Sequence, residues 1–130
     1  MSEMHVVSFI VVLALVEYAV LGAMVGRARV KYNVPAPATA GNPIFERYFR
    51  VHQNTMEQLI VFVPAMFIFA TYAHMIAAVA LGFIFVVARV IYAMNYIRDP
   101  EKRAGGAIAT FLVNTILLIG CLIGVAARAF

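Results

Sequence analysis

The sequence predicts an all-α integral membrane protein built as a bundle of four transmembrane helices. Three observations predict it. Of the 130 residues, 65% are apolar and only 12% are charged, whereas soluble domains carry roughly 45–50% apolar and about 25% charged residues. Four stretches reach the ~20 mostly apolar residues that a membrane crossing needs. The basic residues gather in alternate connections between those stretches, as membrane orientation requires. With a mean hydropathy of +0.94, so short a chain has no means of hiding its apolar side chains in a water-facing globule. An ordinary soluble domain, a disordered region and a nucleic-acid binder are therefore excluded. The single cysteine, Cys121, excludes an intrachain disulfide framework and a Cys-cluster metal site.

The first span runs from about Met4 to Gly26 and is broken only by Glu17. It lacks a basic leading segment and is too long for a cleaved signal peptide, so it reads as a retained helix. The link from Arg27 to Arg47 contains Pro35, Pro37, Gly41 and Pro43, which predict ordered turns. The second span, about Arg50 to Ala73, opens with polar turns, becomes wholly apolar, and carries Pro64 as an expected kink. The short, uncharged Tyr72-Ala73-His74-Met75 predicts a tight antiparallel hairpin into the third span, about Met75 to Ile97, which contains Arg89. The link Arg98–Arg103 places Pro100 where a helix can start. The fourth span, Ala104 to Ala127, has no charged residue. Residues 1–130 thus read as one four-helix domain, with no repeat of solenoid period.

Arg27, Arg29, Lys31 and Arg47 sit in the first link, and Arg98, Lys102 and Arg103 in the third; only Arg128 lies on the opposite side. The positive-inside rule puts both charged links in the cytoplasm and both termini outside. The net charge of +4 is in part this orientation signal. The compact ends favour a bacterial inner membrane over a eukaryotic endomembrane.

The informative residues are the polar ones that a bilayer disfavours. Arg50, Gln53, Asn54 and Glu57 are spaced i, i+3, i+4 and i+7, one face of a helix. On the third span, Arg89, Tyr92 and Tyr96 share a face, and Arg103 follows in register beyond Pro100. Such residues can pair simply to neutralise buried charge, as Arg50 with Glu57. Alternatively, two facing stripes with surplus cations make a pocket for an anionic, amide-bearing small molecule. Glu46 and Arg47 read as solvated interfacial residues. Asn114 suits an interhelical hydrogen bond, and Cys121 a packing role. His5, His52 and His74 show no ligand spacing, so no metal is expected.

The chain resembles the MAPEG family, the membrane-associated proteins of eicosanoid and glutathione metabolism. The resemblance covers nearly the whole length. It rests on Phe45-Glu46-Arg47-Tyr48-Phe49-Arg50-Val51-His52-Gln53-Asn54 followed by Glu57, similar to the family's F-E-R-x-x-R-x-x-x-N-x-x-E signature. Ala88-Arg89-Val90-Ile91-Tyr92-Ala93-Met94-Asn95-Tyr96 is similar to its A-R-x-x-Y-x-x-x-Y segment. The resemblance implies a homotrimer with glutathione as co-substrate, bound between subunits near the cytoplasmic face. It implies glutathione contacts at Arg29, Arg50, Gln53, Asn54, Glu57, Tyr92 and Tyr96, and a thiolate-stabilising arginine at Arg103. Arginines suit the carboxylates of glutathione, Glu57 its ammonium, and the side-chain amides of Asn54 and Gln53 its peptide groups. A cation beside the sulfur favours the thiolate, which attacks a lipophilic electrophile delivered by the membrane lipids.

Gln58 stands where the leukotriene-synthesising branch has a tyrosine, and Val30 where it has a second arginine. The resemblance therefore points to a general glutathione transferase or peroxidase. Two other functions stay open: a non-catalytic lipid-binding or scaffold member of the same fold, and a proton-coupled exporter built around Glu17. Glu17, an ionisable group near the middle of a span, and Arg89 are further candidate site residues. The cationic residues Arg50, Arg89 and Arg103 disfavour the cationic drugs of such exporters.

Overall fold

The computed structural model describes residues 2–130; Met1, inside the expected domain, lies outside the described residues. Four helices follow one another: α1 (Glu3–Tyr32), α2 (Pro43–Tyr72), α3 (Met75–Arg98) and α4 (Ala104–Ala129), with a 3-10 turn at Pro100–Arg103 ahead of α4. All four are long and apolar enough to cross a membrane.

Local chemistry sets each boundary. Ser2 Oγ accepts from the Met4 amide at 3.3 Å at the start of α1, a serine N-cap. Asn33 ends α1 in the left-handed region at φ 56°, which asparagine tolerates better than most residues. Asn42 Oδ1 accepts from the amides of Ile44 and Phe45 at 2.9 and 3.0 Å, and Pro43 occupies the first turn of α2, where its missing N–H costs nothing. His74 Nδ1 accepts from Ala77 at 3.0 Å, which confirms the tight α2–α3 hairpin. Asp99 Oδ1 accepts from Glu101 at 3.2 Å and starts the 3-10 turn.

One expectation needs correction. The turns expected between Arg27 and Arg47 shrink to residues 33–42, because α1 runs on to Tyr32 and α2 begins at Pro43. Nothing in Arg27–Tyr32 breaks a helix, and the Asn42-Pro43 cap starts α2 well before the apolar run. Arg27, Arg29, Lys31 and Arg47 are therefore helical. α2 continues unbroken through Pro64.

α2 and α3 each pack against every other helix, while α1 and α4 make little mutual contact. The main core lies toward the hairpin end, where the rings of Phe62 and Phe85 stack at 3.7 Å among Ile10, Met66 and Leu117. Gly82 lets α3 close on it: a β-carbon there would meet Met66 Cε at 2.5 Å. A second cluster, Leu21, Val51, Tyr92 and Ala93, sits nearer the charged end, and a third, Val25, Ala28, Val34 and Phe45, lies beneath the 33–42 loop. The outer faces keep Phe9, Ile60, Phe83 and Leu122 exposed, as an apolar solvent permits. Asn114 Nδ2 donates to Gln58 Oε1 at 3.0 Å, the expected interhelical bond, and Cys121 is buried.

Candidate functional site

The site is organised by Arg89. Its side chain is 1% exposed, and a guanidinium so placed must spend its donors on the protein. Nη2 donates to Asn54 Oδ1 and to Thr55 Oγ1, each at 2.8 Å. Nη1 reaches Thr110 Oγ1 at 3.4 Å. The two hydroxyls keep their own protons engaged, Thr55 with the Val51 carbonyl and Thr110 with that of Gly106, each at 2.8 Å. The cation also lies 4.2 Å from the ring centroid of Tyr92, a favourable desolvated geometry. One arginine on α3 thus ties α2 to α4 and fixes the Asn54 side chain. Its Nε has no hydrogen-bond partner among the described residues.

The α2 stripe divides over this anchor. Asn54 turns inward to Arg89, while Arg50 and Glu57 stay exposed and Gln53 half-buried. Arg50 Nη1 donates to Gln53 Oε1 at 3.3 Å and stands 3.9 Å from Glu57 Oε1. Both charges keep about half of their side-chain surface open, so the pair is a minor contribution to stability and leaves donors free. Arg50 and Tyr96 line one hollow of about 570 Å³ together with Thr39, Glu46, Arg47 and Pro100. The Tyr96 ring lies 5.6 Å from that of Tyr92, which is itself buried. Gly106 lets α4 seat directly on Tyr92, since a β-carbon there would meet the tyrosine backbone nitrogen at 2.8 Å.

Arg103 is exposed, and its Nη1 donates to the Pro100 carbonyl at 2.7 Å, which holds it on the 3-10 turn; Pro100 lines the Arg50–Tyr96 hollow and Arg103 does not. Arg29 is placed differently from the Arg50 stripe. Its Nη1 donates to the carbonyls of Ala38 at 2.7 Å and Val34 at 3.2 Å, and its guanidinium lies over the Phe45 ring at 4.9 Å. It staples the 33–42 loop and is absent from the Arg50–Tyr96 hollow. Arg27, two residues earlier, lines a smaller hollow with Lys31 and Tyr48. Glu17 faces a third groove, between α1 and α3, that Arg89 also lines.

Three features escaped sequence reasoning. Arg47, expected to be solvated, donates through Nη1 to the carbonyls of Ile97 and Arg98 at 3.0 and 3.2 Å, closing the end of α3; a basic residue near a helix C-terminus suits that role, but only the fold brings it there. Thr55 and Thr110 serve Arg89 although each resembles an ordinary helical threonine in the sequence. His52 stacks on Tyr18 of α1, rings 4.2 Å apart. Among the described residues no group of three His, Cys, Asp or Glu side chains converges as a metal site would.

The MAPEG family model matches residues 7–123. An uncharacterized protein of Synechocystis is 42% identical over 91% of this chain and 86% of its own length. Microsomal glutathione S-transferase 2 of Mus musculus is 36% identical over 80% of this chain and 71% of its own. Leukotriene C4 synthase of Cavia porcellus is 27% identical over 98% of this chain and 85% of its own.

Proposed function

Because the chain belongs to the MAPEG family, we propose that this integral membrane protein is a glutathione transferase with associated peroxidase activity, acting on lipophilic electrophiles or hydroperoxides. The observation that carries the reading is the outward Arg50–Gln53–Glu57 face, whose Arg50 shares a hollow with Tyr96, backed by an Asn54 held on Arg89. Glutathione presents two carboxylates, an ammonium and two amides, and that face offers a cation, an amide and a carboxylate in reach of one another. Arg103, on the 3-10 turn that begins at Pro100, supplies positive charge for the thiolate. The thiolate displaces a leaving group from an electrophile. With a hydroperoxide it takes the terminal oxygen and releases the alcohol, and a second glutathione then gives the disulfide and water.

Assembly as a homotrimer belongs to the same proposal. The polar stripe is open on one side in a single chain, and the exposed apolar faces can serve both subunits and lipid. Arg29 then keeps its implied part through the loop it holds, and Tyr92 through its support of Tyr96. The similarity to a Synechocystis protein supports a bacterial inner membrane, and the clustering of basic residues supports a site toward the cytoplasm with both termini outside.

The test uses purified protein in lipid nanodiscs. Saturable glutathione binding is expected, with thiolate absorbance in the ultraviolet on adding glutathione. Arg103→Ala should keep binding while losing both the thiolate band and conjugation of a nitroaromatic electrophile. Absent glutathione binding would overturn the reading and favour a lipid-binding member of the same fold.

A further inference from the structure

The groove between α1 and α3 is lined by two residues, Glu17 and Arg89, that each carry a buried polar atom the glutathione reading does not use. Its volume is about 550 Å³, and its walls are aliphatic, with Val16, Val20 and Met24 on α1 facing Val86, Val90 and Met94 on α3. The volume lies within the range of small-molecule sites. Lined on α1 from Leu13 to Met24, it runs for about 17 Å at the helical rise, a length that suits one hydrocarbon chain. Into this apolar channel come Glu17 and Arg89. Glu17 Oε1 and Arg89 Nε are both buried, and neither has a hydrogen-bond partner among the described residues. Buried polar atoms in native proteins are satisfied, so an orphaned acceptor on Glu17 and an orphaned donor on Arg89, two residues of the same groove, call for a group that answers both.

We propose that this groove binds a single-chain lipid with a neutral hydroxylic head, whose oxygen accepts from Arg89 and whose O–H donates to Glu17. The chemistry selects that class. A carboxylate and a guanidinium together carry no net charge, so a cationic amphiphile meets Arg89 and a fatty carboxylate meets Glu17 as a like charge. An ether accepts but has nothing to give Glu17. Lipid alcohols and lipid hydroperoxides share the required O–H. As the seat of a second substrate the groove rests on the glutathione reading. As a lipid site it does not, and it is tested without glutathione.

Native mass spectrometry of the protein released from nanodiscs, with hexadecanol, hexadecyl methyl ether, hexadecanoate and hexadecyltrimethylammonium as probes, reads the preference. Hexadecanol should bind about tenfold more tightly than the ether, the value of one charge-assisted hydrogen bond made or missed. Glu17→Leu should abolish that difference, and Glu17→Gln, which keeps an acceptor, should retain most of it. A hydroperoxide of the same chain length, added to the series, separates a substrate from its product alcohol by relative affinity. Equal binding of alcohol and ether overturns the proposal, as does preference for either charged probe. If Glu17→Leu instead changes the oligomeric state and leaves the alcohol–ether difference intact, a second copy occupies the groove and the proposal fails. Glutathione binding that survives any of these results leaves the transferase reading untouched.

Discussion

Replacing Arg89 by methionine separates the two roles that a buried cation can play. The two bonds at 2.8 Å to Asn54 and Thr55 are charge-assisted, about 1.5–3 kcal/mol each, so about 3–6 kcal/mol in sum. Against them stands the desolvation of a guanidinium that is 1% exposed, several kcal/mol per buried ion. The two contributions nearly cancel. Methionine keeps an apolar stem of similar length, and Thr55 and Thr110 keep their own donor bonds. Both hydroxyls lose the arginine as a donor but stay bonded, whereas Asn54 Oδ1 loses the partner it has; Asn54 is half-buried, where a polar neighbour or water can replace it. Arg89→Met should therefore leave unfolding free energy within about 2 kcal/mol of the parent. It should cost about tenfold in glutathione affinity, because Asn54 is no longer fixed. Thermal unfolding in nanodiscs and glutathione titration measure the two quantities. A cycle with Asn54→Ala should be strongly non-additive in affinity. Collapse of stability with Arg89→Met, rescued by Arg89→Lys, would refute the cancellation. Unchanged glutathione affinity would refute the positioning role.

Other perturbations test neighbouring links. Gly106→Ala puts a β-carbon against the Tyr92 backbone; overpacking of about 1–3 kcal/mol should lower the melting temperature and impair conjugation by shifting the segment that carries Arg103. Glu57→Ala should change stability by less than about 1 kcal/mol, since the Arg50 pair is half-exposed, yet raise the KM for glutathione with little change in kcat, as read by steady-state kinetics. Asn42→Ala removes the acceptor for two amides and should cost about 1 kcal/mol, with faster amide hydrogen exchange confined to the first turn of α2. Arg47→Ala should likewise speed exchange near the end of α3, where two carbonyls lose their donor.

Much of this was legible in the sequence because a bilayer makes composition nearly decisive. Spans, the α2–α3 hairpin and the break at Pro100 follow from hydropathy and turn chemistry, whereas the cap at Asn42 starts α2 well ahead of the apolar run that marks the span. The polar spacing picked out Arg50, Gln53, Asn54 and Glu57 on α2 and Arg89, Tyr92 and Tyr96 on α3. It did not sort them, because helical periodicity assigns a face and leaves open what that face meets. Asn54 and Arg50 share a stripe, yet one turns to Arg89 and the other to solvent. The bonds of Arg29 to its loop and of Arg47 to α3 join elements whose approach depends on tertiary packing. The helical continuation from Arg27 to Tyr32 was missed because charge was read as the end of a span, whereas only the end of a hydrocarbon layer follows from charge.

That continuation has a consequence for kinetics. At the helical rise, α1 and α2 are each about 45 Å long, against a hydrocarbon layer of about 30 Å, so roughly 15 Å of each projects beyond it. In the proposed orientation, with the excess length at the charged end, Arg50 and Tyr96 stand at a phase boundary, accessible to a water-soluble reactant above and to a membrane-dissolved one below. For a reaction seated there, the concentration that matters for the lipophilic partner is its mole fraction in the bilayer. Doubling the amount of inert lipid at fixed total substrate should slow turnover, while doubling the aqueous volume should leave a fully partitioned substrate unaffected. Surface dilution, in place of bulk dilution, becomes the variable that governs rate.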